Sequence, residues 1–377
     1  MKLLFINGSR GEWGYIRPLI RQCIINGIDY SICATNMLLL QSYGSLVDEI
    51  KSDGFRVDDE IYMSLEGSNH YTMVKSLGIF LSSFVDVLYR QRPNWIILAG
   101  DRGEQLMGSI AGAYTYIPVA HIQAGERSGN IDGTARHAIG KFAHLHFAAN
   151  EDAKDRLLKL GEEPFRVHNV GAPQLDELTQ GLVSNRAELA LNFNLAENEP
   201  FLLVAQHPVT EEMNRAEEQV KVLVDSLNQF NIRKIWILPN NDAGSETVRR
   251  VLLQHRRSDS QLYENLTRKD YLGLLKHCQA IVGNSSSGLL EAPTFGIPAV
   301  NIGRRQADRV QGVNVINSNF IESECIQAIK KATSSEFRSS LNGCLNPYGD
   351  GQSSERILDI LQSTPVDDRL LVKNLVY

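Results

Sequence analysis

Four side chains in this sequence have the type and setting for proton transfer: Asp101, Asp132, Glu126 and His207. Asp101 follows the apolar run Trp95-Ile96-Ile97-Leu98-Ala99 and stands between Gly100 and Arg102. A carboxylate at the end of a buried strand can serve as acid or base once its surroundings shift its pKa. The same position also suits a helix N-cap. His207 lies between Gln206 and Pro208 at another strand end, a restricted turn. Taken alone, a packed or surface histidine has the same signature.

A second group of residues suits an anion. Gly283-Asn284-Ser285-Ser286-Ser287-Gly288 joins an apolar strand to an apolar helix. Small residues let backbone N–H groups approach a phosphate, serine hydroxyls add donors, and a helix start adds positive potential. An ordinary serine N-cap is the plainer reading. Glu291 follows one turn after Gly288 and could accept from two ribose hydroxyls. Arg304 and Arg305 follow the next apolar strand, and Arg10 follows Gly8-Ser9 at the first strand–helix turn. Guanidinium groups there suit phosphate oxygens. The first turn is not GxGxxG, which lowers a dinucleotide reading. The sequence has no HExxH, DxD, cysteine–histidine cluster, GxSxG elbow or GxxxxGK[ST] loop, so neither a metal nor a cofactor is expected.

Short apolar segments alternating with longer amphipathic ones must position these groups. Strands are expected at Lys2–Asn7, Tyr30–Ala34, Trp95–Ala99, Val119–Gln123, Leu145–Ala149 and Val167–Val170. Helices are expected at Arg17–Asn26, Thr72–Arg90, Gly103–Tyr114 and Glu151–Leu160. The pattern restarts after Asn198-Glu199-Pro200. Strands at Phe201–Ala205, Lys234–Pro239, Ala280–Gly283 and Ala299–Ile302 then alternate with helices near Glu211–Phe230, Ser245–Arg257, Lys269–His277 and Gly288–Phe295. Two such series imply an α/β protein with two doubly wound parallel sheets. Ligands of these sheets bind beyond the carboxyl ends of the strands, where the polar residues above cluster.

The 377 residues suit two domains, with 43% hydrophobic and 22% charged residues. A net charge of −6 argues against a nucleic-acid partner. Apolar runs are short, so no membrane segment is expected. Met1 leads straight into a strand, without a signal-peptide pattern. Five cysteines without a CxxC pair fit reduced thiols and a cytoplasmic location.

Together and in this order, the segments resemble the UDP-N-acetylglucosamine 2-epimerase family from Gly8-Ser9-Arg10 to Asn346-Pro347-Tyr348-Gly349-Asp350-Gly351. The resemblance implies the GT-B fold, two Rossmann-like doubly wound parallel-sheet domains facing across a cleft. Residues 1–175, completed by a helix within 353–377, would form the sugar and catalytic side, and residues 176–352 the UDP-binding side. Gly8-Ser9-Arg10-Gly11-Glu12-Trp13-Gly14 looks like the GSRAEYG-type turn of the hydrolysing branch rather than the GTRPEAIK-type turn of the non-hydrolysing one. Gly100-Asp101-Arg102 likewise matches GDR rather than GDT.

By that resemblance Asp101, Asp132 and His207 are active-site residues, joined by Gln123 and Glu126. Arg10, Arg102, Arg136, Asn241, Ser285, Ser286, Ser287, Glu291 and Arg305 would bind substrate. Many relatives carry glutamate where Gln123 stands, and glutamine exchanges no proton at neutral pH. That shifts the acid–base work to Asp101 and Asp132. The implied reaction eliminates UDP across C1–C2 and then adds water. UDP-N-acetylglucosamine going to N-acetylmannosamine is the first expectation for substrate. A UDP-linked 4-acetamido-6-deoxy sugar, UDP-N,N'-diacetylbacillosamine, is the alternative. A homodimer or homotetramer is expected. A GT-B glycosyltransferase and a UDP-sugar sensor are the rival readings.

Overall fold

In the computed structural model, residues 1–40, 46–66, 70–127, 131–179, 181, 183–239, 244–264 and 266–376 are described. They form two units, Met1–Asp176 with Tyr348–Tyr377, and Glu177–Pro347.

The first unit has strands β1 (Lys2–Asn7), β2 (Asp29–Thr35), β3 (Asp59–Ile61), β4 (Trp95–Ala99), β5 (Val119–Ile122), β6 (Leu145–Ala148) and β7 (Val167–Asn169). They pair in parallel in the order β3-β2-β1-β4-β5-β6-β7. The strand order reverses between β1 and β4, where crossovers leave in opposite directions and a ligand crevice opens. All five residues of β4 are buried, as a strand covered on both faces requires. The helix Arg10–Ile25 starts seven residues before the expected Arg17, because Ser9 caps it by accepting from the Glu12 N–H at 3.3 Å. Pro18 is accommodated within it.

The second unit has β8 (Phe201–Ala205), β9 (Arg233–Ile237), β10 (Ser260–Tyr263), β11 (Ala280–Gly283), β12 (Ala299–Ile302) and β13 (Val315–Ser318). They are parallel in the order β10-β9-β8-β11-β12-β13, and the order reverses between β8 and β11. Two expected helices are shorter than the pattern suggests. The segment near Gly288–Phe295 is one α-turn, Ser287–Leu290, followed by a 3-10 turn, Ala292–Phe295, since Pro293 brings no N–H. The segment near Glu211–Phe230 is a 3-10 stretch, Thr210–Arg215, leading into the helix Ala216–Leu227.

The units divide at 176/177 and 347/348 rather than at 175/176 and 352/353. Asp176 is the reason on one side: its carboxylate accepts from the Ser353 and Ser354 N–H groups at 3.0 and 2.7 Å. On the other side, the Ala172 N–H donates to the Tyr348 carbonyl at 2.7 Å. Gly171 makes that approach possible, because a Cβ there would come within 3.0 Å of the same oxygen. The helix Ser353–Ser363 then sets Ile357, Leu358 and Leu361 into one apolar cluster with Phe5, Ile16 and Leu19.

The helix His70–Gln91 has a stretch, residues 71–91, long and apolar enough to cross a membrane by length and composition. Phe80, Phe84, Val87 and Leu88 on this helix are instead buried in the first unit's core with Ile96 and Leu98.

Candidate active site

Asp101 leaves β4 through Gly100, whose φ of +84° lies in the left-handed region open to glycine. The turn is fixed from behind. His121 Nε2 is 2.6 Å from the Gly100 carbonyl, and since a carbonyl only accepts, that nitrogen carries the proton. Burial pushes the His121 pKa down to about 3, so the ring is neutral.

Arg136 donates from Nη2 to Asp101 Oδ2 and from Nη1 to the Gln123 carbonyl at 2.6 Å. Gln123 itself is buried and holds a left-handed backbone, φ +61°, unusual for a residue other than glycine. Arg136 and Asp132 both lie on the helix Ile131–Phe142, Asp132 in its first turn. Burial opposes the Arg102 charge, but Glu104, Glu12, Asp132 and Asp101 around it outweigh that and raise its pKa. The structure therefore brings Asp101, Asp132, Arg102, Arg136 and Gln123 to one place at the strand ends. Arg10 is on the exposed start of its helix, 3.7 Å from Glu49 Oε2. Glu126 is buried and accepts from Asn150 Nδ2 at 2.5 Å. Asn150 in turn caps the helix Glu151–Lys159, so this carboxylate supports a helix entry.

Two residues absent from the expected set complete this group. Glu12 accepts from the Gly8 N–H at 2.5 Å, and Glu104 lies 3.4 Å from Arg102 Nε and accepts from Asn36 Nδ2 at 3.1 Å. Both carboxyl groups are buried. Burial, then the charge of Glu104, hold the Glu12 pKa well above the usual carboxylate range. Gly8 leaves room for this carboxylate, since a Cβ would fall 2.1 Å from Glu104 Oε1 and displace it.

In the second unit, His207 and Asn284 exchange two hydrogen bonds: the His207 N–H donates to Asn284 Oδ1, and Asn284 Nδ2 to the His207 carbonyl, each at 2.8 Å. This locks the end of β8 to the end of β11. Arg305 Nη1 and Gln306 Nε2 donate to the Asn284 carbonyl at 3.1 and 3.0 Å. Burial, then the Arg305 charge, bring the His207 pKa down to about 3. Gly283 has no alternative, because a Cβ would sit 2.2 Å from the Ala205 carbonyl. Ser285 and Ser286 are half-exposed and Ser287 is buried.

Glu291 is buried beside that turn. Its Oε1 accepts from Arg268 Nη2 at 3.1 Å, while Oε2 has no partner among the described residues. Tyr271 lies between Glu291 and Ser285 and Ser287; burial, then the Glu291 charge, push its pKa up to about 12. Arg268 and Tyr271 stand at the start of the helix Arg268–His277, capped by Thr267. Nothing in the local sequence sets them apart from surface helix residues. Asn241 lies outside the described residues.

The chain as a whole has counterparts elsewhere. A model of the UDP-N-acetylglucosamine 2-epimerase family matches residues 24–362. The chain belongs to this family. A UDP-N,N'-diacetylbacillosamine 2-epimerase (hydrolyzing) of Legionella pneumophila is 33% identical over 99% of the chain and 98% of its own length. A GDP/UDP-N,N'-diacetylbacillosamine 2-epimerase (hydrolyzing) of Campylobacter jejuni is 31% identical over 100% and 98%. The crystal structure of the Neisseria meningitidis UDP-GlcNAc 2-epimerase bound to UDP-GlcNAc superposes with a TM-score of 0.84 at 20% identity, covering 97% of this chain and 100% of that one. As in the family, the fold is GT-B, built of two Rossmann-like parallel-sheet units, as the sequence implied.

Proposed function

We propose that this member of the 2-epimerase family is a hydrolysing enzyme acting on UDP-N,N'-diacetylbacillosamine. It would release UDP and the free 2-epimeric 2,4-diacetamido sugar. The observation that carries the substrate is the pair of end-to-end relatives at 33% and 31% identity, both named for that sugar and for hydrolysis. Their names support reading the 4-acetamido-6-deoxy sugar as substrate over UDP-N-acetylglucosamine, the sequence's first expectation. The latter stays as a second reading because a Neisseria meningitidis UDP-N-acetylglucosamine 2-epimerase is 29% identical over 88% of the chain.

The site geometry supports the chemistry in three parts. The first is departure of the diphosphate, whose growing charge Arg305 and the Ser285–Ser286 turn are suited to stabilise. Glu291, with an acceptor oxygen open, suits a ribose hydroxyl. The second is removal of the weakly acidic C2 proton, and the third its return on the opposite face with water added at C1. Asp101 and Asp132 share the Arg102 environment, and that pairing of two carboxylates supports them as the two proton carriers. His207, neutral at pH 7, donates or accepts a hydrogen bond without adding charge.

Incubation with UDP-N,N'-diacetylbacillosamine or UDP-N-acetylglucosamine in deuterated water, followed by NMR, tests the proposal. The expected product is the free 2-epimer of the diacetamido sugar with deuterium at C2. Release of sugar without deuterium would exclude elimination and hydration, and faster turnover of UDP-N-acetylglucosamine would reverse the substrate order. Transfer of the sugar to an acceptor, with no free 2-epimer, would favour a glycosyltransferase.

A further inference from the structure

Three charged side chains of the second unit, Glu177, Arg268 and Glu291, meet beside the Ser285–Ser286 turn. Glu291 ends the helical turn Ser287–Leu290, and its backbone N–H donates to the Ser287 carbonyl at 3.1 Å, which fixes where its side chain starts. Its Oε1 accepts from Arg268 Nη2 at 3.1 Å, while Oε2 is buried with no partner among the described residues. Arg268 Nε lies 3.9 Å from Oε2 of Glu177, a residue only 1% exposed. Nε and Nη2 share one edge of the planar guanidinium, so a single edge of Arg268 meets two carboxylates.

Local preference does not account for the arginine. It opens the helix Arg268–His277, where a cation opposes the helix dipole, and the next residue, Lys269, pairs instead with Glu188 at 2.6 Å. Neutralisation does not account for it either. The three side chains together carry one surplus negative charge, which burial penalises until further donors reach it. The two hydroxyls of a ribose are such donors. A carboxylate has about four lone-pair sites, so Glu291 can take one hydroxyl on Oε2 and still accept the other beside its bond to Arg268.

Resting on the reading of Glu291 as the ribose acceptor, we propose that Arg268 is a positioning residue for the nucleoside diphosphate. It presets the Glu291 carboxylate toward the ribose diol, and Glu177 sets Arg268 in turn. A glutamate held by one oxygen pays little ordering entropy when the nucleotide arrives, whereas a freely rotating one must be ordered on binding. The effect falls on the ribose alone, because the Ser285–Ser286 turn and Arg305 meet the diphosphate separately. Lysine cannot replace the arginine, since one ammonium nitrogen lacks the fixed edge that faces both carboxylates.

Titration calorimetry on the full chain with UDP and with dideoxy-UDP, which lacks both ribose hydroxyls, reads the diol by itself. The wild type is expected to bind UDP at least about tenfold more tightly than dideoxy-UDP, as hydrogen bonds to a charged acceptor imply. Arg268→Met should weaken UDP about tenfold and dideoxy-UDP less than about twofold, so that the preference collapses. Arg268→Lys and Glu177→Gln should each lose part of it, and they decide the matter where the methionine variant fails to fold. In a Glu291→Gln background, Arg268→Lys should have no further effect, the sign that it acts through that carboxylate. A wild type that binds both nucleotides equally would remove Glu291 from the ribose, and this role of Arg268 with it. A wild type that prefers UDP, with variants at Arg268 and Glu177 that keep the preference or lose both nucleotides alike, would overturn the proposal and leave the reading of Glu291 intact.

Discussion

Asp101 and the Gln123 carbonyl share one guanidinium, and that sharing sets what each neighbour can do. Arg136 reaches both because its nitrogens form a rigid fork. Through this fork it holds Gln123 in a backbone conformation that costs roughly 1–3 kcal/mol for a residue other than glycine. Lysine offers a single nitrogen and cannot hold both groups in the same geometry. Arg136→Lys should therefore lower kcat about tenfold or more with UDP affinity kept, measured by release of free sugar and by titration calorimetry. Asp101→Asn and Asp132→Asn should each lower kcat by about 10² or more, again with UDP binding retained. Near wild-type turnover in either would remove that residue from the proton path. Asp101 was legible from sequence because a short motif surrounds it. Glu12 and Glu104 were not: 92 residues separate them, and only the neighbouring positions of β1 and β4 bring two ordinary-looking glutamates together in the interior.

The element that positions Asp132 and Arg136 is the helix Ile131–Phe142, which is held at its far end by the returning tail. Lys373 Nζ donates to the Gly140 and Ala143 carbonyls at 2.5 and 2.8 Å and pairs with Glu162 Oε2 at 2.5 Å. Arg166, fully buried, binds the tail by donating to the Leu370 and Arg369 carbonyls at 2.8 Å each. Burial lowers the Lys373 pKa to about 8, with Glu162 partly opposing it. Removing the ammonium leaves a buried carboxylate and two carbonyls short of a donor. Lys373→Met should cost the first unit about 3 kcal/mol, seen in calorimetry as a lower first transition, with a smaller loss of kcat. An unchanged melting profile would show that the tail does not brace this helix. The helix was not read from the sequence, since Gly133 and Gly140 interrupt its pattern. Strands β3, β10 and β13 were also missed, at three or four residues each and at or next to sheet edges where alternation is weak. The long buried strands were legible because burial on both faces writes an unbroken apolar run.

At the scale of the whole molecule, the first unit's response to acid follows from its buried histidines. Burial holds His121, His144 and His146 at about 3, 4 and 4, below the ordinary 6.5. The unfolded chain therefore binds protons at these sites from pH 6.5 downward, while the folded unit does not until pH 3–4. Stability is present above pH 6.5 and is lost as the pH falls through that window, by up to about 1.4 kcal/mol per pH unit for each histidine. Calorimetry from pH 7 to 4.5 should show the first unit's transition falling steadily, and His146→Asn should flatten the slope. An equal slope in that variant would assign the effect elsewhere. The division into two units has a further consequence, for the order of synthesis. The first unit has its last strand by Asn169, yet Ile357, Leu358 and Leu361, which finish its core, emerge about 190 residues later. At 5–20 residues per second that is roughly 10–40 s on the ribosome. Throughout that interval the second unit can fold on its own, while the outer face of the helix Arg10–Ile25 waits uncovered, a natural point for a chaperone to hold the nascent chain.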